Sequence, residues 1–366
     1  MVVAAPPPAD DERRLESLSR AIRELDRELR ASLGPADVAY LERLHRWNGR
    51  LKILGRACAA FLPWWIGLPV GSALLAVVKL VSVGPLGHDI YHGAWEHVPG
   101  AERFAMDGWQ WDAPIDRDVW RAMHNHAHHA HTGTAHRDID DHFLFARVNP
   151  YVETDPVITP VQWAVVLGCL GAFTHVAHMQ YQGVFDALAQ RLGRRPVRKE
   201  PVATRAALGD WWASVRAYTK EHYLVGPLWF GPFAPWVILA ELAAGRVRDL
   251  ALFYFAYATH AGPESPWMPE EHHSGSRGAW LRDRIAVSYD SRLPRLASLV
   301  LDGVDLHIEH HVLPRVPSHR YAEAAPRLRA ICEAHGVPYR VQPIPVRLWH
   351  TFRELWRLRR RDIRSR

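Results

Sequence analysis

The sequence predicts an all-α integral membrane protein: two transmembrane helical hairpins with a cytosolic helical cap that carries clustered histidines. Three observations predict it. Uncharged apolar runs recur at 57–78, 157–174, 223–240 and 250–263, each near the roughly 20 residues that a bilayer-spanning helix needs. Tryptophans stand at their edges (Trp64, Trp65, Trp163, Trp229 and Trp236), where an indole sits well between lipid and water. Of 23 histidines, ten fall within 88–142 and seven within 260–319, next to the apolar runs rather than inside them.

In chain order, residues 1–10 read as disordered. Residues 11–33 read as a helix because Leu15, Leu18, Ile22, Leu25 and Leu29 recur at three- and four-residue spacing with charges on the other faces. The stretch 11–50 is expected as cytosolic amphipathic helix. Pro63, Gly67, Pro69 and Gly71 break the first apolar region and predict a hairpin of two short spans, 51–67 and 70–87. A polar, histidine-rich block covers 88–156. Residues 157–188 are apolar but contain His175 and His178. A second hairpin, 223–243 and 248–262, is expected to turn at Ala244–Asp249, where two arginines interrupt the apolar pattern. A membrane domain over 51–325 is followed by a basic cytosolic tail, 326–366.

The net charge of +6 is concentrated in the loop Arg191–Lys199 and the tail Arg353–Arg366. No nucleic-acid-binding motif accompanies these basic stretches, so they point to a membrane surface or a solvated face. If both hairpins return to their starting side, the two histidine-rich blocks and the termini share the cytoplasmic face of an inner or plasma membrane. The N-terminus lacks the basic and apolar regions of a signal peptide. Three cysteines (Cys58, Cys169 and Cys332) without a CxxC pair exclude a disulfide framework and a thiolate zinc site.

The chemistry lies in three histidine boxes: His88-Asp-Ile-Tyr-His92, His124-Asn-His-Ala-His128-His129 and His307-Ile-Glu-His310-His311. Each sets two imidazoles at i,i+3 or i,i+4, on one face of a helix. With His260, at the end of the last apolar run, there are nine candidate ligands. One ion rarely takes more than six, so nine imply two ions. Neutral imidazole suits zinc, copper, iron and nickel alike. Asp89, Asn125, Asp138, Asp305 and Glu309 can accept from or orient imidazole N–H groups, and any one of them reads equally as an ordinary cap or surface polar residue. His97, His126, His131 and His136 read as solvent-facing or supporting, and His272-His273 as a surface pair. His175 and His178 read as lining an interface or cavity.

The motifs Gly87-His88-Asp89-xx-His92, His124-Asn125-xx-His128-His129-x-His131-Thr132 with Asp138-Ile-Asp140, and Asp305–Pro314-xx-Pro317 resemble the membrane fatty acid desaturase superfamily over roughly residues 50–325. Gly133 stands where many members have Asn, and Val312-Leu313 replaces the commoner Leu-Phe. The resemblance implies two iron ions, a non-haem di-iron centre at the cytoplasmic membrane face, with His260 matching the family's extra ligand. It implies an acyl-chain lipid substrate, dioxygen, and a separate electron donor of ferredoxin or reductase type, since no HPGG, Rossmann or flavin signature occurs in the chain. An unactivated methylene has no acidic proton, so its attack needs an oxidising cofactor. Removal of a second hydrogen gives an alkene, the leading expectation. Oxygen rebound gives an alcohol, as in a membrane hydroxylase of lipid, alkane or carotenoid-like substrates. Glu221-His222-Tyr223 faintly resembles a motif of the alkane hydroxylases. A metal transporter or store would instead need acids or histidines within the spans, and the run centres show no Asp or Glu.

Overall fold

The computed structural model describes residues 9–143, 146–152, 159–193, 204–262 and 264–359. The expectations for residues 1–8, for the basic loop beyond Gly193 and for the last residues of the tail lie outside them. Among the described residues the helices are α1 (Ala9–Ala31), α2 (Pro35–Phe61), α3 (Trp64–Val81), α4 (117–131), α5 (Gln162–Cys169), α6 (Phe173–Tyr181), α7 (Thr204–Lys220), α8 (Ala234–Phe253), α9 (Arg277–Val287), α10 (Arg295–Leu301), α11 (His307–Val312), α12 (Tyr321–Ala334) and α13 (Ile344–Leu358), besides shorter helical pieces. Two small strand pairs complete the frame: β1 (His142–Phe143) antiparallel to β2 (Ala146–Arg147), and β3 (Asp290–Arg292) parallel to β4 (Val341–Pro343).

The periodic leucines of α1 form one side of a core. Leu15, Leu18, Ile22, Leu25 and Leu29 are buried against α9, α11 and α12, in a cluster with Ile285, Ile308, Val312 and Leu328. Close approach is possible because residue 278 is glycine: a Cβ there would lie 1.9 Å from the Leu15 carbonyl oxygen. Helix α1 thus packs on the body of its own chain and backs the helix that carries the third histidine box.

Helices α2 and α3 form the first hairpin, but it turns at Leu62-Pro63, several residues earlier than the sequence suggests. Helix α2 runs unbroken through residue 50, so the amphipathic stretch and the first span are one helix. Small side chains (Ala59, Ala76, Ala240 and Ala244) let α2, α3 and α8 pack closely. The second hairpin departs further from expectation. Residues 244–249 lie inside α8, and the reversal comes at Trp229–Phe233, where Gly231-Pro232 stop the helix. Its two arms are α7, extended to Leu228, and α8. Among the described residues two helices are long and apolar enough to cross a membrane by length and composition, Trp64–Tyr91 and Thr159–Tyr181. Trp64, Trp65, Trp212, Trp229 and Trp236, on or next to the hairpin helices, are exposed.

The charges near 244–249 do not make a turn because they are paired inside the helices. Glu241 accepts from Arg56 Nε at 2.8 Å and meets Lys79 Nζ at 2.7 Å. His222 lies between Glu241 (3.0 Å) and Asp112 (2.6 Å). Lys79 and Arg248 both donate to the Tyr218 hydroxyl, at 2.7 and 2.8 Å, and Arg248 pairs with Asp249. All but Asp112 are buried. Glu241 and Asp249 lie at the edges of the apolar runs, but because 244–249 is helical both fall inside α8. They are matched by cations, as buried charges must be.

Residues 326–358, expected as a tail, fold onto the body. Leu328, Cys332, Leu355 and Leu358 are buried. Buried Arg347 of α13 donates to the carbonyls of Ala258 (2.8 Å) and Ala261 (2.6 Å), on either side of His260. After α10, Asp302 takes a left-handed conformation (φ 50°) and accepts from the Tyr40 hydroxyl of α2 at 2.6 Å. Burial pushes its carboxyl up to about 6, and the Tyr40 hydrogen bond offsets only part of that.

Two predictions follow from this packing. Leu25→Ala removes a side chain 2% exposed and is expected to cost about 2–5 kcal/mol, read as a lower unfolding midpoint in detergent. Asp302 has a folded pKa above its unfolded value, so its contribution is favourable in acid and is lost as pH rises from about 4 through about 6. Asp302→Asn, which also tolerates the left-handed backbone, is expected to remove that loss. At neutral pH it should gain up to about 3 kcal/mol over the parent, with no gain below about pH 4, in denaturation measured across that range.

Candidate metal centre

Three of the four π-helical segments in the described residues carry or lead into candidate ligands. Ser82–His88 ends in the first box, Arg121–His128 carries most of the second, and Tyr254–Ala258 leads into His260. A π turn closes i→i+5 bonds and realigns side chains. This explains a feature that α-helical spacing would not give: His124 and His129, five apart, bring their Nε2 atoms to 3.2 Å. The third box sits on α11, whose Ile308 and Val312 are gripped by the α1 core.

All nine candidate histidines converge. Ligand atoms of His88, His92, His124 and His310 lie within 4.8 Å of one another, and so do those of His128, His260 and His311. His307 Nε2 joins the second group, 2.9 Å from His260 Nε2 and 3.2 Å from His311 Nε2. The His129 ring lies between the groups, 4.5 Å from the rings of both His310 and His311. The adjacent histidines of the third box therefore part: His310 faces one group and His311 the other.

Burial, and then the neighbouring imidazoles, hold His92, His124, His129, His307, His310 and His311 well below the ordinary histidine pKa, and His260 likewise. Neutral imidazole offers a lone pair on one nitrogen. His260 Nδ1 lies 3.2 Å from the Val287 carbonyl, and His128 Nδ1 lies 2.9 Å from Asp138 Oδ1. Both partners accept, so both rings donate through Nδ1 and aim Nε2 lone pairs inward. His92 Nε2 and His310 Nε2 are buried without a hydrogen-bond partner. Lone pairs gathered at such distances repel one another unless a cation takes them, so the donor set fits two groups of imidazole-bound metal ions. His128 differs from the rest: burial lowers its pKa, but Asp138 and Asp140 outweigh that and raise it.

The polar partners differ from those expected. Asp89 accepts from the Ser318 N–H and hydroxyl, both at 2.8 Å, tying the first box to the turn after the third. Asn125 donates to the Tyr91 carbonyl at 2.9 Å. Glu309 accepts from the Tyr339 hydroxyl at 2.7 Å, and the same hydroxyl bonds Asp290. None of Asp89, Asn125 or Glu309 hydrogen-bonds a box imidazole; each holds a box-bearing segment instead. Asp305 meets Ser298. Only Asp138 orients a ring, and its place in the Asp-x-Asp after the second box was the available signal. His97, His126 and His136 are exposed, His131 faces Arg137, and His272 pairs with Asp283.

Beside the histidines lies a cavity lined mainly by apolar side chains, among them Leu80, Val83, Phe173, Leu252, Phe255 and Val304. His88, His124, His128 and His307 open onto it, as do Trp111 and Trp120. Helix α6 adds Thr174, His178 and Tyr181, and Asp140 lies near them. His178, read from sequence as lining an interface or cavity, lines this one. Gly87 is required here, since a Cβ would fall 1.9 Å from Trp111 Nε1; this is the space that lets an indole lie beside His88.

The family model described as fatty acid desaturase matches residues 63–343. The NADPH-dependent stearoyl-CoA 9-desaturase of Mycobacterium tuberculosis is 25% identical over 358 residues, 94% of this chain and 80% of that protein. Fatty acid desaturase 3 of Homo sapiens is 23% identical over 303 residues, covering 80% and 62% respectively. The acyl-lipid (7-3)-desaturase of Rebecca salina is 26% identical over 359 residues, covering 89% and 76%.

The Asp138–His128 hydrogen bond generates a direct test. Asp138→Asn is expected to weaken metal retention about 10–100-fold while leaving the helical content intact, measured by metal analysis after graded chelator treatment and by circular dichroism.

Proposed function

Since the chain belongs to the fatty acid desaturase family, we propose that it inserts a double bond into an acyl chain at a di-iron centre held by His88, His92, His124, His128, His129, His260, His307, His310 and His311. The observation that carries this reading is the meeting of nine imidazoles, seven of them buried and His88 and His124 half-buried, beside an apolar cavity. Two iron ions with dioxygen and two external electrons supply the oxidant that an unactivated methylene requires. The chain's own residues do the rest. Asp138 fixes the tautomer and direction of His128. Asp89 and Ser318 hold the first and third boxes together. The apolar wall binds the acyl chain and keeps water from it, with Trp111 and Trp120 flanking the histidine end.

The acyl carrier is a thioester or a lipid ester, as in the names of the Mycobacterium and Rebecca relatives. The electron donor is a separate ferredoxin or reductase. Both hairpins anchor in the membrane with the histidines at its cytoplasmic edge, as the apolar belt and the charge distribution support. Residues 11–50 and the basic end then lie on that same side.

Expression in a host with a simple fatty acid profile tests the reading. A new double bond is expected, together with about two irons per chain in the purified protein. His128→Ala should lose the product and part of the iron. A hydroxylated product, or a double bond that survives His128→Ala, would overturn it.

A further inference from the structure

A line of aromatic rings leads away from the candidate ligands. Trp120, 7% exposed, stacks on His124 with ring centroids 4.4 Å apart and planes 21° apart, and it also touches His88 and His92. Trp111 meets Trp120 edge-on at 5.0 Å. Tyr91 lies 4.9 Å from Trp111, and its hydroxyl donates to the carbonyl of Trp109 at 2.6 Å. Trp109, two residues along the same segment, is partly exposed and lines a second cavity, with exposed Gly49, Gly108 and Gln110 at its edge. Apolar aliphatic side chains would serve an acyl-binding wall equally well. What distinguishes indoles is that they surrender an electron to a strong oxidant.

We propose that Trp120, Trp111 and Trp109 form a route by which unspent oxidising equivalents leave the metal centre for the protein surface. This rests on the desaturase reading, since it needs an oxidising centre at the histidines. When no acyl chain is in place, one electron passes from the Trp120 indole to the centre, which is reduced by one. Trp111 refills Trp120, and Trp109, two residues along the backbone and hydrogen-bonded through its carbonyl to the Tyr91 that packs against Trp111, refills Trp111. The vacancy at Trp109 is filled by one electron from a surface reductant, a thiolate or the enzyme's own electron donor. No bond breaks, and Trp111 keeps its Nε1–H on the Ser82 carbonyl at 3.0 Å, so the vacancy travels as positive charge. The route carries oxidation outward rather than supplying electrons inward, because a donor cannot add an electron to an intact indole; it can only fill a vacancy already there. Tyr91 is a side stop: its hydroxyl faces a carbonyl, a poor base for the proton that phenol oxidation releases. The route protects the ligand imidazoles, which would otherwise be the nearest oxidisable groups.

The test is uncoupled turnover: metal-loaded enzyme with dioxygen and reductant but no acyl substrate, with oxygen uptake recorded and oxidised tryptophans mapped by peptide mass spectrometry. Oxidation is expected at Trp109 and Trp111 ahead of the far more exposed Trp229 (85%) and Trp349 (66%). Trp120→Phe should cut it several-fold and raise histidine oxidation at the boxes. Trp111→Phe, which leaves Trp120 on the ligands, should spare Trp109 and confine the oxidation to Trp120. Oxidation that follows exposure, or that is unchanged in both Phe variants, overturns the route while leaving the desaturase reading intact. Protein that binds no iron and takes up no oxygen overturns both.

Discussion

The structure depends on one awkward convergence: neutral imidazoles from four separate segments point their lone pairs into a common buried space. Left alone, these groups would spread apart or seek water. What opposes this is a set of clamps, each joining a histidine-bearing segment to a part of the chain distant in sequence. Asp89 holds Ser318, 229 residues away. Tyr339, just before β4, reaches Glu309 in the third box. Arg347 grips the carbonyls around His260. Helix α1 backs α11 through its leucines. The terminal segments are thus part of the scaffold of the centre, not appendages to it.

A second constraint lies within the hairpins. Arg56, Lys79, His222, Glu241, Arg248 and Asp249 form a buried ionic cluster among helices whose other faces are exposed or packed against one another. Such a cluster adds little net stability over an apolar core, but removing one member strands the others, and pairing fixes register between helices. Here it links α2, α3, α7 and α8 and, through the Arg248 contact with Thr174, α6. Thr174 itself borders the apolar cavity beside the histidines. The cluster therefore holds one wall of that cavity, and the charges that looked like a turn in the sequence pin α8 to its neighbours.

The site was more legible than the frame. Histidine spacing is a local property, so the nine converging residues, the core-facing leucines of α1 and the Asp-x-Asp that orients His128 could all be read from neighbouring letters. Two kinds of feature could not. The π turns at 121–128 and 82–88 leave no periodic signature, so the i,i+5 pairing of His124 with His129 is visible only in the fold. Charge pairing between helices is non-local: Arg248 and Asp249 read as a polar break until Tyr218 and Thr174 are seen beside them. The Gly231-Pro232 breaker that makes the real turn was present in the sequence, but the charged stretch outweighed it. Asp89, Asn125 and Glu309 stood at the right places in the boxes, yet each is engaged in holding backbone or neighbouring elements rather than imidazoles.

These observations bear on why the centre is built on helices clamped from behind rather than on loops. Hydrogen abstraction from a methylene has no polar handle, so selectivity among many similar carbons rests on where the chain is held relative to the histidines. An apolar wall gives only weak, non-directional attraction, so position must come from a rigid cavity shape. Rigid shape requires that α3, α4, α6 and α8 keep their relative register, which the ionic cluster, the Gly87–Trp111 contact and the Asp116 N–H bond to His178 at the start of α4 enforce. The same rigidity leaves an empty cavity open when no chain is bound, with an oxidising centre and aromatic neighbours in contact. Scaffold rigidity and the outward line of indoles are then two consequences of one design: a site that gains precision from a fixed shape must also dispose of the oxidation that a fixed, empty shape permits.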